Sequence, residues 1–211
     1  MTPPPDAPHL GLVVEGRGEV QAVPLLLRRR LSGRGVYRDL VGRPVSCNGR
    51  ENALKPKGIE GKVAVAAVRP GCRCVLVLLD GEGDPVCELG PELLRRSRDV
   101  AAGKEVVVCL ADRKYEDWLV ASAESLQVPG LTYRPDRDSV SVLKEALLPS
   151  KYIKPSWQPR LSHDLDFELA SGRNPSLARF LAKFDTLIDR HFGEGTSAEW
   201  DDGRDGRTLR G

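Results

Sequence analysis

The run CVLVLLD, Cys74 to Asp80, constrains this chain more than any other stretch. An unbroken apolar run of this length reads as a strand covered on both faces, since a strand with one face in water would alternate apolar and polar residues. Strands of that kind belong to parallel sheets, whose neighbours must be joined by crossover segments that are usually helices. The rest of the chain supplies such segments. His9 to Val14 is too short for a helix and rich in Leu and Val, and it is followed by VQAVPLLLRRRLSGRG, which has helical length and ends in glycine. A possible strand over Val41 to Cys47 precedes a candidate helix from Ile59 to Arg69. A fourth strand, Glu105 to Leu110, precedes the candidate helix YEDWLVASAESL. This repetition predicts an α/β fold, a Rossmann-like parallel sheet flanked by helices.

Beyond Pro129 the strand pattern fades. Residues 139–148 and 175–191 read as helices, the second with Asn174 as its cap ahead of Pro175. The segment between them, KYIKPSWQPRLSHDLDFELASGR, reads as irregular at first and then as a short helix. The expected organisation is a core over 9–135 and a mainly helical C-terminal extension over 136–192 packed on it. A flexible start over 1–8 and a disordered tail over 193–211 complete it, the tail being rich in glycine and charge without apolar periodicity.

Composition excludes several classes of function. With 32 basic and 30 acidic residues among 211, the net charge of +2 gives no global positive field, so contact with nucleic acid would have to be local. The five cysteines are an odd number, three lie in or beside apolar runs, and none has partners at zinc-finger spacing. They read as reduced core residues. The opening MTPPPDAPHL lacks a basic start followed by an apolar stretch, and no apolar run approaches the roughly 18 residues that span a bilayer. A cytoplasmic protein without a membrane partner is expected.

The acids carry the functional signal. Ligands of open parallel sheets sit beyond the carboxyl ends of the strands, and here Glu15 follows the first strand, Asp80 ends the third and Glu116 follows the fourth. Glu19 lies one helical turn past Glu15, while Glu82 and Asp84 alternate with Asp80 in LLDGEGD, where glycines let the backbone bend. Carboxylates so close raise one another's pKa, and a hard divalent cation is the usual remedy. Oxygen-only ligation favours Mg²⁺ or Mn²⁺ over zinc. Such an ion completes its shell with water and phosphate oxygens, which points to phosphoryl transfer on a phosphodiester. Taken singly, Glu19 also fits a helix N-terminus and DGEGDP a solvated turn; their joint occurrence at separate strand ends favours a shared site. Asp117 reads as a surface acid. The GRG of residues 16–18 lacks the third glycine of a dinucleotide-binding turn, and Glu15 and Glu19 would face the pyrophosphate with like charge.

VVEGRGEVQAVPLLLRRRL followed by VLVLLDGEGDP resembles the Toprim domain, the metal-dependent fold of topoisomerases, primases and the overcoming-lysogenization-defect (OLD) nucleases. The likeness is greater to stand-alone Toprim-like proteins related to the OLD nuclease domain, whose pattern has an E-G-x-x-E start, a D-x-D-x-D-like strand end and an acid in a helix such as KYEDWL. The resemblance implies that Glu15 is a metal-associated acid and proton acceptor, Glu19 a second acid of the first motif, and Asp80 with Glu82 the metal pair. Asp84 is then a reserve ligand and Glu116 a late acid for a second metal. Glu82 departs from the family pattern, which has Asp at that place.

The implied function is a Mg²⁺- or Mn²⁺-dependent nuclease that cuts or nicks nucleic acid, DNA ahead of RNA, in phage defence. Two metal ions would flank the scissile phosphate, and Lys151 or Lys154 would neutralise transition-state charge; an exposed loop lysine is the alternative for each. Arg28, Arg29, Arg30 and Arg34 form a local basic stretch that fits either a nucleic-acid backbone or a solvated helix face. The competing expectation is a non-catalytic accessory subunit of an AAA-type ATPase, as the OLD architecture pairs nuclease with ATPase. A homo-oligomer is compatible with both. Topoisomerase chemistry is not expected, because no tyrosine has the context of a nucleophile.

Overall fold

The computed structural model describes residues 6–193, so the expected tail, apart from Gly193, and residues 1–5 of the expected flexible start lie outside the described residues. Four parallel strands form one sheet in the order β2-β1-β3-β4: β1 (His9–Val14), β2 (Val45–Ser46), β3 (Cys72–Asp80) and β4 (Glu105–Ala111). Helix α1 (Glu19–Gly33) joins β1 to β2. Helices α2 (Arg50–Leu54) and α3 (Gly58–Ala67) lead from β2 to β3, and α4 (Val86–Arg98) leads from β3 to β4. The remaining helices are α5 (Tyr115–Val120), α6 (Ser139–Ala146), α7 (Lys154–Asp164), α8 (Phe167–Arg173) and α9 (Pro175–Phe192).

The two-residue alternation of strands sorts the apolar side chains onto two faces. Leu10, Leu12, Val14, Cys74, Leu76 and Leu78 join a core with α1, α5, α7 and α9, whereas Val13, Val75, Val77 and Leu79 join a second core with α3 and α4. This explains the unbroken apolar run of β3, since both of its faces are covered. Trp118, Phe180 and Phe184 are fully buried in the first core, so the C-terminal helices share the apolar interior of the sheet face. Trp118 stacks at 5.0 Å on Phe180 and donates its indole N–H to Ser176 Oγ at 2.7 Å.

The sheet winds in two directions. From β1 the chain passes over one face through α1 to β2; from β2 it returns across the other face to β3 and continues outward through α4 to β4. The reversal leaves the carboxyl ends of β1 and β3 side by side with a crevice above them, the place where open α/β sheets bind ligands.

Some elements differ from the sequence reading. The expected strand over 41–47 is reduced to a single bridge between Val41 and Leu10 and a two-residue pairing with β1. Between them Pro44 has no N–H to give, and a side chain on Gly42 would collide with the His9 ring, which lies 2.4 Å from where its Cβ would be. Helix α4 contains Gly90 and Pro91, which hid it in the sequence. The segment read as irregular starts a full helix, α7, with Pro155 in its first turn, where a missing N–H costs nothing. YEDWLVASAESL is not one helix: α5 stops at Val120 and a short 3₁₀ turn covers Ala123–Ser125.

Candidate metal centre

Glu15 and Asp80 meet at the winding reversal. The register sets Val14 beside Leu78, so the next residue of β1 reaches the end of β3, and Glu15 Oε2 accepts the backbone N–H of Asp80 at 3.1 Å. Asp80, 3% exposed, accepts the Tyr115 N–H on Oδ1 at 2.8 Å. Behind it the chain turns sharply at Gly81, whose N–H donates to Ala111 O at 2.7 Å. A side chain at Gly81 would lie 2.5 Å from Asp112 O, so only glycine lets the β3 turn pack this closely on the end of β4. The turn then carries Glu82 back at φ +50°. Oxygens of Glu15, Asp80 and Glu82 lie within 4.8 Å of one another, grading from buried to exposed.

Burial raises the pKa of Glu15, with the charges of Glu19 and Glu82 adding to it against the Asp80 N–H and Lys154. Asp80 is pushed up to about 8, mainly by burial and then by Glu15, Glu19 and Glu116. The group is therefore short of positive charge, which is the condition a divalent cation relieves.

A second layer of acids sits behind this triad. Glu19, 5% exposed, accepts the Gly16 N–H at 2.9 Å on Oε2 and the Gln158 side-chain amide at 3.2 Å on Oε1. The same Gln158 Nε2 donates to Glu116 Oε1 at 3.1 Å, which also accepts Tyr152 Oη–H at 2.9 Å and pairs with Lys154 Nζ at 3.2 Å. Glu116 is fully buried, and its Oε2 has no partner among the described residues. Burial works to lower the pKa of Lys154, but Glu116 and Asp80 outweigh it and the net shift is upward. Gln158 also explains a glycine in the first motif. Its buried Oε1 would stand 1.9 Å from a Cβ on Gly18.

The expected site residues thus separate. Glu15, Asp80 and Glu82 form the oxygen cluster; Glu19 and Glu116 back it through Gln158; Asp84 is exposed and ion-paired to Arg50. Lys154 joins the site through Glu116, whereas Lys151 is exposed and gives its carbonyl to the Trp157 indole at 3.0 Å. Arg28, Arg29 and Arg30 of α1 and Arg34 just past its end are held by internal partners. Arg28 pairs with Asp39, Arg30 and Arg34 with Asp185, and Arg29 donates to the carbonyls of Ser162 and Leu165 at 2.8 and 3.0 Å. Asp117 caps the start of α5 by accepting the Lys114 N–H at 3.3 Å.

Sequence reasoning missed Gln158, Tyr152 and Arg50. Reading Pro155 as the first turn of a helix would have set Lys154 and Gln158 four residues apart on one helix face, which was the available signal. A cleft of about 820 Å³ lined by His9, Pro24, Arg28, Asp39, Val41 and Pro70, among others, shares no residue with Glu15, Glu19, Asp80, Glu82 or Glu116. It lacks the convergent perturbed carboxylates that single out the crevice. No family model, curated protein or solved structure matches the chain.

Proposed function

We propose that this chain is a Toprim-type, Mg²⁺- or Mn²⁺-dependent phosphodiesterase acting on nucleic acid, DNA ahead of RNA, in the cytoplasm. The observation that carries the reading is the convergence of Glu15, Asp80 and Glu82 oxygens within 4.8 Å at the winding reversal of the sheet. The donor set fits a hard cation, being all oxygen and graded from buried to open. The unpartnered Glu116 Oε2 fits it as well. Four buried free cysteines suit a reducing compartment.

The protein's own groups have distinct tasks in this reading. Glu15 is fixed through Oε2 by the Asp80 N–H, which leaves Oε1 to accept the proton of an attacking water. Asp80 and Glu82, with Glu15 beside them, would hold the cation, which would supply a water of lowered pKa and neutralise phosphate charge. Lys154, cationic and half-buried on Glu116, sets positive charge beside the reacting phosphate. Gln158 and Tyr152 keep Glu116 in place.

The test is cleavage of supercoiled plasmid, single-stranded DNA and RNA by purified protein in Mg²⁺, Mn²⁺ or EDTA, beside a Glu15→Gln, Asp80→Asn double variant. Cutting that needs metal and disappears in the variant is expected. Equal cutting by the variant would refute the assignment. Metal bound without any cutting would turn the reading to an accessory subunit of an ATPase.

A further inference from the structure

We propose that Arg50 is a phosphate-binding residue of this site, a guanidinium that leaves Glu82 and Asp84 for the substrate phosphate when a cation takes Glu82. The inference deepens the phosphodiesterase reading and rests on it. Arg50 is the first residue of α2, and the backbone just before it is hung on the cluster itself: the Gly49 N–H donates to Glu15 O at 2.9 Å. Its side chain is only 11% exposed. One Nη donates to Asp80 O, the other pairs with Asp84, and Nε lies 3.6 Å from Glu82.

Glu82 is thereby claimed twice, as an oxygen of the metal triad and as a partner of Arg50. A divalent cation drawing in the Glu82 carboxylate loosens that ion pair and places two like charges near each other. The bond to Asp80 O keeps the guanidinium at the mouth, where Glu82 and Asp84 are 46% and 53% exposed. The freed fork of N–H donors matches two oxygens of a phosphodiester, which a lysine in the same place could not contact as a pair. Lys154 enters the site through Glu116 and Arg50 through Glu82 and Asp84, so two cations attached to different acids flank the cluster.

A residue that only pinned the turn would support metal and substrate alike. A phosphate ligand that competes with metal for Glu82 affects them in opposite directions. The experiment compares wild type with Arg50→Gln and Arg50→Lys, reading Mn²⁺ affinity by calorimetry and binding of a fluorescent single-stranded oligonucleotide in Ca²⁺ by anisotropy. Arg50→Gln is expected to bind Mn²⁺ several-fold more tightly, because a competing positive charge is gone. Its oligonucleotide affinity should fall about tenfold, the weight of one charge-assisted contact, with Arg50→Lys in between. Weakening of both, or unchanged oligonucleotide affinity, would overturn the proposal while leaving the metal centre intact. A wild type that binds oligonucleotide and metal but cuts nothing would remove the catalytic reading alone, and one that binds no oligonucleotide would remove both.

Discussion

Asp80 ends the longest strand among the described residues, one buried on both faces, and yet carries a carboxyl, so its titration reports on the whole site. Unfolded, the group titrates near 3.8; folded and without metal, burial and its acidic neighbours lift it to about 8. Below about pH 4 both states hold the proton and the group is neutral to stability. Between these values only the unfolded chain releases it, so stability falls as pH rises, and above about 8 that loss is complete. Asp80→Asn should therefore raise the melting temperature of the metal-free protein more at pH 8 than at pH 5, a comparison that thermal melts in EDTA make directly. Equal gains at both values would show that the carboxyl is not held protonated. Gly18→Ala tests the second layer of acids. The added Cβ must displace the Gln158 amide from Glu19 and Glu116, and a loss of about 1–3 kcal/mol is expected from the acceptors left unsatisfied. Unchanged stability to denaturant would mean that Gln158 moves freely. Glu15 and Asp80 were legible because strand ends fix where a side chain must point. Gln158 was not, since the local pattern sets it only on one helix face with Lys154, while its meeting with Glu19 spans 139 residues of chain.

Among the elements, α7 decides whether the second layer forms, because it carries both Lys154 and Gln158 and lies against α1. Arg29 of α1 holds its far end by donating to the carbonyls of Ser162 and Leu165, the favourable place for a cation at a helix terminus. Arg29→Met keeps much of the apolar stem and removes those bonds. A cost of about 1–3 kcal/mol in denaturant unfolding is expected, together with oligonucleotide affinity unchanged within twofold. A large drop in affinity at constant stability would place Arg29 on a nucleic-acid surface. The same element shows where sequence reading fails. Two prolines, Pro155 and Pro159, lie in α7, and Gly90 and Pro91 lie in α4, so propensity argued against helices that tertiary packing imposes. The strand expected over 41–47 failed in the other direction, its β-branched residues being interrupted by Gly42 and Pro44.

For the molecule as a whole, both apolar faces of β3 were readable from its composition, and with them the parallel sheet and its layers of helices. The strand order β2-β1-β3-β4 was not, because it depends on which face each crossover covers. That order is what turns separate acids into a site, by bringing the ends of β1 and β3 together. The C-terminal helices complete the core around Trp118. Phe180→Ala should cost about 3–5 kcal/mol and destabilise the sheet and helices as one cooperative transition, since Phe180 belongs to the core that includes β1 and β3. Separate transitions by near- and far-ultraviolet circular dichroism would contradict a shared interior. Whether the strand ends assemble an oxygen-only cation site is decided by Mn²⁺ titration calorimetry at pH 7 on wild type and Asp80→Asn. Saturable binding is expected, accompanied by proton release from Asp80, revealed as a heat that depends on the ionisation enthalpy of the buffer, and abolished in the variant. Absence of binding in the wild type, or binding that Asp80→Asn leaves untouched, would contradict such a site.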